Sequence, residues 1–212
     1  MKMMEPIEAK KSFTHDFPGC HHIAWYSTSD KFVLAGGDPT EKSFSLRTIT
    51  VPGLSVIDKI DIPTNVPDSV RDIDLSPDDL TLAVSTIDGK LYFVDMIKKS
   101  HIQVDPRVGS ISQLTWSPDG TRVAAKSSQH VLIINMSGGM WQFAYGRSSS
   151  GDDLSWSPDS KYISYTDNDF AVCVVNSYTL EMTLRLGCMP KYIWSSPTAI
   201  ITLDKFAIID IL

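Results

Sequence analysis

Leu114-Thr115-Trp116-Ser117-Pro118-Asp119-Gly120 recurs twice more in the 212-residue chain. The copies are Ile73-Asp74-Leu75-Ser76-Pro77-Asp78-Asp79 and Leu154-Ser155-Trp156-Ser157-Pro158-Asp159-Ser160. Ser76, Ser117 and Ser157 set spacings of 41 and 40 residues. Weaker copies flank the three: Ile23-Ala24-Trp25-Tyr26 opens the series and Tyr192-Ile193-Trp194-Ser195 closes it. Trp194 follows Trp156 by 38 residues, whereas Trp25 precedes Leu75 by 50, so the first unit carries an insertion. Four of the five tryptophans thus occupy one repeat position.

Working outward from the repeat, each unit reads as four short strands. In the third unit they are Gln113–Trp116, Thr121–Lys126, His130–Asn135 and Met140–Tyr145. Ser-Pro-Asp-Gly between the first two is a turn: Pro presets φ, Asp bonds its own backbone, and Gly accepts positive φ. The fourth unit repeats the pattern with Lys161–Thr166, Phe170–Asn176 and Glu181–Leu186. The second does so with Leu80–Ser85, Lys90–Asp95 and His101–Val104. Runs of Val, Ile, Tyr and Phe bounded by Gly, Pro, Asn, Asp and Ser are strand signals, and no segment sustains a helical period.

Four strands per unit at about 40–45 residues is the pattern of a β-propeller blade. One such sheet has two apolar faces and cannot bury both; packing blades face to face around an axis does. Leu114 and Trp116 lie on one side of their strand by two-residue alternation. Leu75, Trp116 and Trp156 are therefore expected between neighbouring blades, with Trp25 and Trp194 at the equivalent positions. The fold class expected is all-β, a propeller of about five blades in a single domain over residues 1–212. The blades span approximately 21–63, 71–105, 111–146, 152–187 and 190–212.

Trp-Ser-Pro-Asp-Gly, a short strand, and an aliphatic strand ending in Asp or Asn resemble WD-repeat and WD-like propellers over nearly the whole chain. The aliphatic strands end Val94-Asp95, Ile134-Asn135, Val175-Asn176 and Ile209-Asp210, without a Trp-Asp dipeptide, and no Gly-His pair precedes the fourth strand. The resemblance therefore extends to the broad group, including TolB-like and peptidase-associated propellers. It implies a scaffold that binds protein partners.

The last unit has three strands, Lys191–Trp194, Ala199–Leu203 and Phe206–Ile211. Residues 12–18 precede Trp25 by the interval at which Glu181–Gly187 precedes Trp194. An N-terminal strand at residues 11–17 is thus placed to complete the last blade, close the ring and remove an exposed edge. A closed ring implies a monomer; the alternative is an open or partial propeller.

Composition narrows the function. Lys+Arg number 19 against 25 Asp+Glu, a net charge of −6, which argues against non-specific nucleic-acid binding. Three cysteines, Cys20, Cys173 and Cys188, form no disulfide framework and suit a reducing compartment. Residues 1–19 hold no apolar h-region, and no run reaches the ~18 apolar residues of a membrane span. A cytoplasmic, soluble protein is expected.

A propeller presents partners with the mouth of its channel. Three positions before the repeat residue stand His22, Asp72, Gln113, Asp153 and Lys191, and one position earlier Arg71 and Asp152. This polar ring differs in every blade, as a recognition surface requires. Charge reversal at Asp153 is expected to spare the fold and weaken a partner. The first unit's insertion leads into Pro63-Thr64-Asn65-Val66-Pro67-Asp68, a second candidate contact. Cys20-His21-His22 with His15 and Asp16 fits no standard zinc spacing, so no metal and no cofactor are expected. No Gly-x-Ser-x-Gly elbow or phosphate loop is present. The acidic pairs Asp152-Asp153 and Asp72/Asp74 show no sign of the separated pKa values that glycoside chemistry needs. The expected function is a non-catalytic protein-interaction scaffold. The alternatives are a propeller from a larger protein, such as a peptidase gating domain, and a propeller binding a sugar or another small molecule.

Overall fold

The computed structural model describes residues 20–37, 40, 42–51, 53–66, 70–137, 141–145, 153–187, 191–202 and 207–211. The expected N-terminal strand at 11–17 lies outside them, as do Asp152 and Cys188.

The first sheet is β1 (Cys20–Trp25), β2 (Lys31–Gly36), β3 (Ser43–Thr50) and β4 (Val56–Pro63). The second is β5 (Val70–Leu75), β6 (Thr81–Thr86), β7 (Leu91–Asp95) and β8 (Ser100–Val104). The third is β9 (Ile111–Trp116), β10 (Arg122–Ser127), β11 (His130–Asn135) and β12 (Trp141–Tyr145). The fourth is β13 (Ser155–Trp156), β14 (Tyr162–Thr166), β15 (Val172–Asn176) and β16 (Met182–Leu186). The last has three strands, β17 (Tyr192–Ser196), β18 (Ala199–Thr202) and β19 (Ala207–Asp210). Every sheet is an antiparallel meander in chain order. The first-unit insertion lengthens the β3–β4 hairpin to two eight-residue strands.

The repeated turn has one geometry throughout. Asp79, Gly120 and Ser160 stand at its fourth position with φ of 62°, 69° and 64°, and Ser29 does so in the first sheet at 58°. The N–H of each donates back three residues, to Tyr26, Ser76, Ser117 and Ser157 carbonyls, at 2.8–2.9 Å. Ser76, Ser117 and Ser157 hydroxyls donate to Asp78, Asp119 and Asp159 at 2.6, 2.5 and 2.7 Å. The Ser-Pro-Asp sequence thus closes its own turn. Gly is the low-strain choice at the fourth position. Asp79 and Ser160 stand there instead and bond the adjacent sheet. The Ser27 hydroxyl donates to Asp79 at 2.6 Å, and Asp119 N–H donates to Ser160 Oγ at 3.0 Å.

Apolar layers lie between consecutive sheets. One joins Ala83, Leu91 and Phe93 of the second sheet to Leu114, Trp116, Val123 and Ile134 of the third. The next joins Ala124, Val131 and Ile133 to Leu154, Trp156, Ile163, Tyr165, Cys173 and Val175. Leu75, Trp116 and Trp156 are buried and Trp194 half-buried, whereas Trp25 is exposed and rests on Phe32 at 5.1 Å between ring centroids. Trp25 departs from the expected core because no described sheet precedes the first. Arg122 is buried between the third and fourth sheets. Its guanidinium donates to Ser177 Oγ at 2.7 Å and to Ser160 O at 2.8 Å, and lies 4.0 Å from the Tyr178 ring centroid.

Among the described residues the five sheets are not closed into a ring. No helix among them is long and apolar enough to cross a membrane.

Candidate functional site

β1, β5, β9 and β13 are each the first strand of their sheet and contact one another in succession. Their starting ends therefore gather at one end of the sheets. Antiparallel order brings the β6–β7, β10–β11 and β14–β15 turns to that same end, and the Ser-Pro-Asp turns to the opposite one.

An edge strand leaves alternate N–H groups without ladder partners. In β9 these are Leu114 and Trp116, and the second sheet satisfies both. Asp72 Oδ2 accepts from Leu114 N–H at 2.8 Å, and Asp74 Oδ2 accepts from Trp116 N–H at 2.7 Å. One blade on, Gln113 Oε1 accepts from Leu154 N–H at 2.9 Å. Asp153 pairs with the fully buried Lys126 ammonium of β10, and its carbonyl accepts from the Tyr192 hydroxyl at 2.7 Å. Asp72, Gln113 and Asp153 are thus engaged in joining sheets. The expectation that reversing Asp153 spares the fold gives way, because the reversed charge faces a buried cation. Of the other ring residues, Arg71 and Lys191 are exposed, and His22 is half-buried.

Indole groups tie the same joints. Trp116 Nε1–H donates to the Asp74 carbonyl and Trp156 Nε1–H to the Thr115 carbonyl, both at 3.1 Å. Trp194 Nε1–H donates to Ser164 Oγ at 2.9 Å instead.

Among the described residues, concavities form that the sequence does not mark. A cavity of about 290 Å³ at the ring end is lined by Tyr165, Asp167, Asp169, Cys173 and Arg185. Arg185 bridges Asp167 at 2.8 Å and Asp169 at 2.7 Å. At the opposite end, a cleft of about 310 Å³ separates the first two sheets. Tyr26, Lys31, Ile57, Asp58, Leu80 and Ile97 line it. Ile57, Leu80 and Ile97 are exposed there. The first-unit insertion was the available signal for the cleft, although it drew attention to Val66, which is half-buried.

The electrostatics of the first cavity do not activate its cysteine. Burial pushes the Cys173 thiol up to about 11, and the neighbouring Asp167 charge adds to this. A nucleophilic cysteine needs the opposite shift. Burial likewise raises the Tyr165 phenol. Burial raises the Asp74 carboxyl too, against hydrogen bonds from Trp116, Thr115 and Leu75. Asp72 and Asp74 are committed to backbone N–H groups, so they do not form a general acid–base pair.

Repeat, turn and sheet-to-sheet bonds together define an all-β fold of the propeller type. No family model matches the chain. It is similar to Protein HIR1 of Kluyveromyces lactis, 25% identical over 156 aligned residues, with 57% of this chain and 18% of that protein covered. Among solved structures it is similar to Kuenenia stuttgartiensis hydrazine synthase, at a TM-score of 0.64 and 16% identity. That likeness covers 84% of this chain and 52% of the other, and at such identity it speaks to the fold alone. The chain therefore spans 18% of the curated relative and 52% of the solved chain.

Proposed function

We propose that the chain is a non-catalytic protein-interaction module that engages a partner at the end of the sheets where the innermost strands begin. The observation that carries this reading is a division of labour between adjacent positions. Asp72 and Gln113, three residues before the repeat position, hold the sheets together. Arg71 and Ser112, one residue earlier, are exposed on that frame, as is Lys191. A rigid scaffold with blade-specific exposed side chains is the arrangement binding loops favour. Similarity to Protein HIR1 supports a WD-type module, and the fold by itself does not fix a function.

The test is a comparison of captured proteins between the wild type and Arg71→Glu/Lys191→Glu, with quantitative mass spectrometry as the readout. A discrete partner lost from the double variant, with an unchanged melting temperature, supports the reading. An identical capture profile overturns this face as the site.

A further inference from the structure

The joint between consecutive sheets has two recurring halves. One is the cross-strand row that starts one residue before the repeat position: Asp74, Ala83 and Phe93 in the second sheet, and Thr115, Ala124 and Ile133 in the third. The other is the following sheet's row through the repeat position. It is Trp116, Val123 and Ile134 in the third sheet and Trp156, Ile163 and Val175 in the fourth. These repeat rows are buried, and the indole caps the carbonyl one residue before the repeat position of the preceding sheet.

Both halves recur at the two ends of the described arc with no described sheet against them. On the first sheet, Trp25 and Phe32 share one row with Ile49, which is itself buried, and Ile23 and Leu34 belong to the next. Ile23 and Trp25 are each 54% exposed, against 7% for Trp116 and 6% for Trp156. On the last sheet the complementary row is Ile193, Ile201 and Ile208. Ile193 is 51% and Ile208 68% exposed. This row is more apolar than its equivalents, which include Asp74, Thr115, Ser155 and Ser164.

We propose that the Trp25 face of one molecule packs on the Ile193–Ile201–Ile208 face of a second copy of this chain, making a head-to-tail blade joint between molecules. The repeat identifies the occupant. The Trp25 face fits a sheet whose first strand offers a carbonyl one position before its repeat residue, as Asp74 and Thr115 do, and Ile193 stands at that position on an exposed apolar row. In the joint the Trp25 indole N–H caps the Ile193 carbonyl, as Trp116 caps Asp74. The contact is heterologous, so it propagates until a ring closes or a filament grows.

The experiment is sedimentation velocity over a concentration series on the full chain, on Trp25→Lys and on Ile193→Lys. Circular dichroism melts establish that each variant is folded, and Trp25→Ser and Ile208→Lys replace any that is not. The expected result is concentration-dependent association of the wild type, with each variant monomeric alone. A one-to-one mixture of the two variants then gives a dimer that grows no further, because one intact face remains on each. A wild type that stays monomeric throughout overturns the proposal, as does a mixture that forms no dimer.

Discussion

Trp116 donates twice to Asp74: its backbone N–H to the carboxylate at 2.7 Å and its indole N–H to the carbonyl at 3.1 Å. The two residues lie 42 positions apart, one on each side of a blade joint. Asp74→Ala removes the acceptor of a partly buried N–H, a loss expected to cost about 1–3 kcal/mol in urea unfolding. Asp74→Asn keeps an acceptor oxygen and is expected to cost less. The pH dependence separates them further. Burial raises the Asp74 pKa above the ordinary 3.8. Between the two values the folded state binds more protons than the unfolded state, so stability falls as pH rises through the folded pKa. Wild-type stability should therefore fall relative to Asp74→Asn as pH rises above 3.8 through that window. Parallel profiles would show that Asp74 does not titrate with a raised pKa.

The repeat tryptophans divide by position. Trp116→Ala and Trp156→Ala each remove a buried ring that caps a carbonyl, and each is expected to destabilise by about 3–5 kcal/mol. Trp25→Ala, on an exposed face, should fall within about 0.5 kcal/mol under conditions where the chain is monomeric. Urea midpoints at low protein concentration measure all three. Equal losses at the three positions would mean that the first sheet is covered as the others are.

The strands were legible because their signals are local. β11 starts at His130 and ends at Asn135 as the sequence pattern predicts, and most other boundaries move by a residue or two. The Ser-Pro-Asp turns were legible for the same reason, since each closes on its own side chains. The role of the polar ring was not. Asp72 and Gln113 read as members of a recognition ring at the channel mouth, and only the placement of one blade against the next shows them reaching the N–H groups of Leu114 and Leu154. Lys126 was equally opaque. It lies in the run Arg122–Ser127, where alternation alone does not reveal a fully buried lysine whose partner is Asp153. Trp25 shares its repeat position with Trp116, yet its burial depends on a neighbouring sheet, which the repeat pattern does not specify.

The Ser-Pro-Asp turns should contribute to the loss of stability in acid. Asp78 is held below the ordinary 3.8 by the Ser76 hydroxyl and the Leu80 N–H. Burial pushes Asp119 and Asp159 up, but the Ser117 and Ser157 hydroxyls and turn N–H groups outweigh it, so both also lie below 3.8. A depressed carboxylate contributes stability above its unfolded pKa and loses it as pH falls through the folded value. The wild-type advantage over Asp78→Asn/Asp119→Asn/Asp159→Asn should therefore be full at neutral pH and shrink below 3.8. Chemical denaturation at stepped pH measures it, and an advantage that persists into strong acid would remove the turns as its source.

Lys126 and Asp153 form the most buried ion pair among the described residues. The Lys126 side chain is 0% exposed and that of Asp153 21%. A charge taken out of water is tolerated only while its partner remains, so removing one member costs more than the pair itself contributes. Asp153→Leu should destabilise by about 3–5 kcal/mol, because it takes this carboxylate from the fully buried Lys126 ammonium, and Lys126→Met, which leaves only the partly exposed Asp153, should cost less. Replacing both groups by apolar ones, as in Lys126→Met/Asp153→Leu, removes the desolvation cost along with the attraction and should restore much of the loss. Urea unfolding of the two single variants and the double variant completes the test. Single-variant losses that simply add in the double variant would show that the two residues act independently.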